Sequence, residues 1–280
     1  MATQSSRMDP GSISAVRLAC AAIFFVTLLF AIGMQGDVRS MGWDHGTHIV
    51  LSALLGLAIG DTLYVTGIGM TGMARAFTIA LGTFTVLAYA FSIVFLGEQV
   101  TIAVAIGSAL VLTAIYLVAL RGRPKEDQAA LTPTLTRRRA MLGLAIVMAA
   151  GTCWAGSAVW TRAVAEDYST LAVAAVRLPA AALLVSTYVS FNGASAVRQR
   201  RVGRRAVVIL AFAGIVGSGM GSLFYLYALQ EAGAGRAAVL SSMSPLFALP
   251  LGALVLRERI TPWVAAGTAL AVTGIILLSI

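Results

Sequence analysis

A chain of 280 residues with 59% hydrophobic and only 11% charged residues is not a soluble domain, in which about a quarter of residues carry charge. The net charge of +9 is gathered between apolar segments, which excludes a nucleic-acid partner and points to basic loops beside a bilayer. Cys20 and Cys153 both lie inside apolar stretches, which excludes a disulfide framework or thiolate metal site and leaves packing as their role.

Met1–Gly11 is short and polar and lacks the charged-then-apolar order of a signal peptide. Nine apolar segments follow, near 13–33, 49–69, 75–96, 101–120, 140–161, 169–191, 206–229, 236–256 and 262–280. Each approaches the roughly 20 residues a helix needs to cross a bilayer. No alternating strand pattern interrupts them, so an all-α integral membrane bundle is expected. Asp37, Asp44, His45 and His48 are expected in the loop before the second segment, with no metal spacing. Arg121, Arg123, Lys125 and Arg137–Arg139 occupy one later loop, and Arg198, Arg200, Arg201, Arg204 and Arg205 another. Together they hold 11 of the 20 basic residues. The positive-inside rule places both loops in the cytoplasm, with the N-terminus cytoplasmic and the C-terminus outside. Thr261 can cap the last segment, and Pro262 suits its first helical position.

An internal repeat organises these segments. Ala15-Val16-Arg17-Leu18 recurs as Ala175-Val176-Arg177-Leu178, an offset of 160 residues. The same offset carries Leu96, Glu98 and Thr101 onto Leu256, Glu258 and Thr261, and Gly107 and Thr113 onto Gly267 and Thr273. In the middle of each copy a one-residue slip improves the match: Gly56, Gly60, Tyr64 and Arg75 then meet Gly217, Gly221, Tyr225 and Arg236. Segment 140–161 would have its counterpart at and before Met1. Four helices are therefore expected in the first copy (1–120) and five in the second (140–280), joined by a basic linker at 121–139. A five-helix period reverses the sense of entry into the membrane. This predicts inverted repeats of the kind that place a substrate between halves near the midplane.

At this point the chain resembles the EamA-type branch of the drug/metabolite transporter superfamily. The resemblance is carried by Arg17 and Arg177 early in a helix, Gly217-Ser218-Gly219-Met220-Gly221, and Ala234-Gly235-Arg236-Ala237. Ser244-Pro245-Leu246-Phe247 and the Leu-x-Glu-x-x-Thr pattern of both copies complete it. It implies two helical units, transport of small metabolites in or out, and no ATP-hydrolysing module; nor does a phosphate-binding Gly-x-x-x-x-Gly-Lys motif occur. The resemblance also implies ten helices with both termini cytoplasmic. The first copy departs from the pattern in having Phe84 or Thr85 where the second has Pro245.

Asp61 is the sharpest single signal. A carboxylate near the middle of a spanning segment costs roughly 2.5–3.5 kcal/mol and is expected to face a bundle interior or wet cavity. Withdrawal from water is how a carboxyl group comes to exchange protons in the physiological range, so Asp61 is a candidate for proton coupling. The plainer reading is a structural carboxyl bonded to a neighbouring helix. Ser222, its slipped counterpart, cannot ionise. Tyr64, Trp154 and Tyr225 are candidate cavity aromatics, whereas Trp160 and Tyr227 read as interfacial, with Trp43 and Trp263. Ser241, Ser244 and Pro245 mark the helix expected to bend and expose carbonyls to a cavity. Arg17 and Arg177 could draw an anionic group, snorkel to the interface or hold helix ends at the repeat interface. Glu98 and Glu258 read as caps of the helix that follows each, or as gating partners of an arginine. The glycine series reads as close helix contact.

The sequence therefore predicts a bilayer-embedded secondary carrier or exporter of a small organic metabolite, such as an amino acid or drug-like compound. It is expected to work by alternating access, coupled to protons, in a bacterial cytoplasmic membrane. No cofactor, metal or catalytic residue is expected. A non-transporting membrane scaffold is the alternative, and a membrane-embedded enzyme a weaker one.

Overall fold

The computed structural model describes residues 10–71, 73–99, 101–121, 137–191, 204–243 and 262–278. The described residues form helices joined by short turns, with no strand among them. In chain order the helices are α1 (Pro10–Ile32), α2 (Gln35–Ser40), α3 (Gly42–Ala53), α4 (Asp61–Thr71), α5 (Met73–Leu96), α6 (Ile102–Arg121), α7 (Arg137–Ala165), α8 (Thr170–Phe191), α9 (Arg204–Ala213), α10 (Gly221–Ala232), α11 (Ala234–Ser241) and α12 (Pro262–Leu278). Two π-helical segments, π1 (Leu54–Gly60) and π2 (Gly214–Met220), join α3 to α4 and α9 to α10. Their bounds differ by 160 residues, the offset of the repeated arginines.

Six helical stretches among the described residues are long and apolar enough to cross a membrane: Ala15–Ile32, Gly42–Thr71, Ile79–Leu96, Met141–Ala165, Thr170–Ser190 and Val208–Ala232. Their outer faces are apolar, with Val94 72% and Phe95 71% exposed, as a surface meeting lipid rather than water requires. The expected segment 236–256 is described only to residue 243, so its bend at Pro245 lies outside the described residues.

One boundary moves by a full two turns. The second span begins at Gly42 rather than near residue 49, so His45 and His48 are helical residues and not loop residues. Thr47 donates to the carbonyl of Trp43 at 2.7 Å, and Asp44 lies 3.7 Å from His48 one turn on. Asp44 also sits in the first turn, where negative charge favours the helix dipole.

The described residues divide into two compact units that do not follow the sequence repeats. The first comprises residues 1–59 and 160–231, the second 60–159 and 232–280. Within the first, α1 packs along α8 and also against α9 and π2, while α8 packs against α3 and α2. Glycines permit the closest approaches. A Cβ at Gly214 would lie 2.5 Å from the Arg17 carbonyl oxygen, and one at Gly219 2.8 Å from the Phe25 ring. Gly221 meets nothing within 4 Å, so the close contact expected of it falls to Gly214 and Gly219.

Within the second unit, α6 pairs with α12, and Gly274 brings the backbone of α12 against Val111 and the Gly107 carbonyl. Val104, Val111, Ala114, Val239 and Met243 form the buried core there. A second core of Ala76, Ala80 and Val147 lies beneath Tyr64, Ile68, Ile79 and Trp154. Small residues let α4, α5 and α7 approach closely, which is how helices associate where lipid removes the usual hydrophobic drive.

Candidate functional site

Asp61 opens α4, where π1 ends. The wider turn of a π-helix is costly and recurs at functional sites. A Cβ on Gly60 would lie 2.7 Å from Cδ1 of Trp154, so glycine at the end of π1 lets the indole lie across the backbone. Trp154 then donates its Nε1–H to Oδ1 of Asp61 at 2.9 Å. Tyr64, one turn beyond Asp61, tilts over the indole with ring centres 5.1 Å apart, and Phe84 meets it edge-on at 6.4 Å. Phe84 is buried, whereas Asp61, Tyr64 and Trp154 are half-buried. Three of the residues singled out in sequence, Asp61, Tyr64 and Trp154, therefore stand together in the second unit.

Next to Phe84, Thr85 is 1% exposed and shares a 2.5 Å hydrogen bond with the buried Ser242 hydroxyl. Thr85 also donates to Leu81, and Ser242 to Ala238, so this pair locks α11 to α5 rather than presenting hydroxyls to a ligand. Ser241 is half-buried and donates to the Ala238 carbonyl at 3.0 Å. Ser244, Pro245 and Glu258 lie outside the described residues.

Glu98 does not cap the helix that follows it. Thr101 takes that position, accepting from Val104 N at 3.3 Å. Gly97, at φ 65°, turns the chain after α5 and Glu98 N closes on the Ser92 carbonyl at 3.2 Å. The positive φ, which glycine adopts at no steric cost, ends α5 in a left-handed cap. Glu98 thereby reaches the N-terminus of α11, accepting from Ala234 N at 2.7 Å and Gly235 N at 3.3 Å.

In the first unit, Arg177 is 8% exposed and donates to Ser52 Oγ at 2.8 Å and to Thr161 Oγ1. Tyr225 lies within electrostatic reach of the same guanidinium. Arg17, its counterpart, is half-buried beside Gly214 and Gly217, and its buried Nε has no hydrogen-bond partner among the described residues. Gln230 ties down the turn between α7 and α8. It donates to the carbonyls of Ala165 and Tyr168 at 2.6 and 2.9 Å and accepts from Thr170. Ser52, Thr161 and Gln230 carry no sequence signal, because a lone hydroxyl or amide in an apolar helix is ordinary. Among the described residues no three His, Cys, Asp or Glu side chains cluster to hold a metal.

The arrangement can hold a proton or a cation on Asp61 while an indole fixes the carboxylate's orientation. The chain matches the model of the EamA-like transporter family over residues 1–120 and 141–280. It is 25% identical over 257 residues to an uncharacterized transporter of Archaeoglobus fulgidus, covering 91% of this chain and 84% of that one. One solved crystal structure superposes with a TM-score of 0.76 at 19% identity, covering 99% of this chain and 90% of the other, which shows a shared fold.

Proposed function

Since the chain belongs to the EamA-like transporter family and is an integral membrane transporter, we propose that it carries a small organic metabolite across the cytoplasmic membrane by alternating access, coupled to protons at Asp61. The observation that supports this most directly is the Asp61–Trp154 hydrogen bond. It holds an ionisable group inside a spanning helix, where such groups mark substrate and proton pathways. Residues 1–120 and 140–280 are the two inverted copies in this reading, and 121–139 joins them. Only the first copy has the acid: the offset of 160 places Gly221 opposite Asp61, and the slipped offset places Ser222 there. One coupling group per chain is the consequence.

Proteoliposomes holding the purified protein test the reading. A library of amino acids and amines is screened for counterflow, and uptake of the substrate found is then driven by an imposed pH gradient. Asp61→Asn should abolish gradient-driven accumulation while counterflow persists. Accumulation that survives in Asp61→Asn with unchanged dependence on the gradient would remove the coupling role.

A further inference from the structure

We propose that the corner where α3 meets the α7–α8 turn is a proton-sensitive clamp, in which a charge on His48 fastens the first two turns of α3 onto Trp160. The clamp concerns how the fold responds to pH and is independent of substrate binding and of coupling at Asp61. Two histidines on neighbouring turns of α3 meet two aromatic rings of that corner. His45 stands edge-on to Tyr168 with ring centres 5.5 Å apart, and His48 lies tilted against Trp160 at 5.7 Å. Tyr168 also donates its hydroxyl to the carbonyl of Met41 at 3.4 Å, the residue before α3 begins.

The two sides of this contact differ in how firmly they are held. The corner is fixed, because Gln230 binds the Ala165 and Tyr168 carbonyls and Arg162 pairs with Glu166 at 3.1 Å. The start of α3 has no side-chain cap, and Trp43 on its first turn is exposed. Its attachment to the corner therefore depends on the ring pairs and the Tyr168 hydroxyl more than a capped helix would. α7 starts at Arg137, in the basic linker, and reaches Trp160 about a bilayer's thickness away at about 1.5 Å per residue. The positive-inside rule then makes this corner external, so the clamp answers to the pH outside.

Histidine is the side chain that ordinarily changes charge between about pH 5 and 8, so the contact has two chemical states. Neutral, the His48 ring meets the indole as one aromatic meets another, and its buried Nδ1 has no hydrogen-bond partner among the described residues. Charged, the ring is a cation against an electron-rich face, with Nε2 3.7 Å from the Asp44 carboxylate one turn back. The surrounding elements favour the charged state. Asp37 and Arg39 lie on α2, Asp44 and His45 on α3, and Arg162, Glu166 and Asp167 at the end of α7, beside Tyr168. α10 contributes Tyr225, Tyr227 and Glu231, and α8 contributes Arg177, engaged with Ser52 one turn deeper along α3 and with Thr161. Five acids thus stand against three arginines around this corner, and an acid is the charged group beside the His48 ring.

The full-length chain in lipid nanodiscs tests the clamp between pH 8 and pH 5. A spin label attached through Trp43→Cys, with Cys20→Ala and Cys153→Ala to direct the labelling, reads the motion of the α3 start. Acidification should lower the mobile fraction of the label at least about twofold. His48→Gln should abolish that response and leave the label as mobile at pH 5 as at pH 8. Asp44→Asn changes an exposed side chain that folding does not need, and should at least halve the response. His45→Gln should keep most of it. A label indifferent to pH in the otherwise native chain would overturn the proposal, as would a full response in His48→Gln or in Asp44→Asn, or its loss in His45→Gln. Asp61→Asn separates the clamp from proton coupling: the response should persist there whether or not transport does, and its loss would place the titrating group at Asp61 and remove the clamp.

Discussion

Removing the Glu98 carboxylate perturbs a contact whose parts can be priced separately. Two backbone N–H groups at the start of α11 point at it, Ala234 at 2.7 Å and Gly235 at 3.3 Å. Losing a helix N-cap costs about 0.5–2 kcal/mol, and the favourable charge at a helix N-terminus adds about 0.3–1 kcal/mol. Glu98→Ala should therefore destabilise by about 1–3 kcal/mol, a fall on the order of 2–8 °C in apparent Tm. Glu98→Gln keeps an acceptor oxygen and should lose about half as much. Gly233 stands at φ 86°, ψ 166°, a region that other residues enter at a cost of about 1–3 kcal/mol. Its added Cβ would also lie 2.7 Å from Glu98 Oε1 and displace the carboxylate. Gly233→Ala thus contains the Glu98 loss within it, and the double variant should fall short of additivity by about 1–2 kcal/mol. Thermal unfolding of the four proteins in detergent, followed by intrinsic fluorescence, measures this cycle. Additivity within about 0.5 kcal/mol would show that glycine and carboxylate act independently and refute the reasoning.

Three further outcomes follow from the packing. Arg177→Met should cost about 2–4 kcal/mol, because Ser52 and Thr161 lose a buried charged donor; Arg17→Met should cost less, and equal shifts in the same unfolding assay would contradict their different surroundings. Gly214→Val should prevent proper folding, since its first added carbon meets the Arg17 backbone at 2.5 Å; Gly221→Ala has open space and should be neutral or gain up to about 1 kcal/mol of helix propensity, as size-exclusion recovery and unfolding would register. Gln230→Leu leaves the Ala165 and Tyr168 carbonyls without this donor; limited proteolysis between α7 and α8 should accelerate roughly tenfold or more, corresponding to about 1.4 kcal/mol or more of local opening, and an unchanged rate would mean the amide is dispensable.

Helices were legible in the sequence because lipid demands long apolar runs, and their ends were less so. Gly42–Ile49 read as loop because Asp44, His45, Thr47 and His48 break the apolar pattern, yet the helix persists there through local side-chain contacts. The π-segments were invisible. Leu54–Gly60 and Gly214–Met220 share no identical residue at an offset of 160, so nothing in composition marks the wider turn. The two π-segments keep an offset of 160, whereas Tyr64 and Tyr225, which follow them, match at 161. Asp61 stood out because a carboxylate in an apolar run is expensive. Its partner Trp154 lies 93 residues away, and which side chains meet across such a distance depends on helix rotation, which apolar periodicity fixes poorly when both faces are hydrophobic.

The duplication conserved backbone more faithfully than chemistry. Both copies keep the Ala-Val-Arg-Leu string within a helix, α1 or α8, and both keep a π-segment at the same offset. Their polar partners diverged. Ser52, which accepts from Arg177, corresponds at the 160 offset to Phe212, a ring with no hydroxyl to offer Arg17. Asp61 corresponds to Gly221 or Ser222, neither of which carries a carboxylate. A carrier needs two similar halves to have two similar end states, which asks for repeated backbone geometry. It does not need two coupling groups, and each extra buried carboxylate would add its own desolvation cost. In the proposed carrier the repeat supplies the shape, and Asp61 beside Trp154 is the group proposed to supply the coupling.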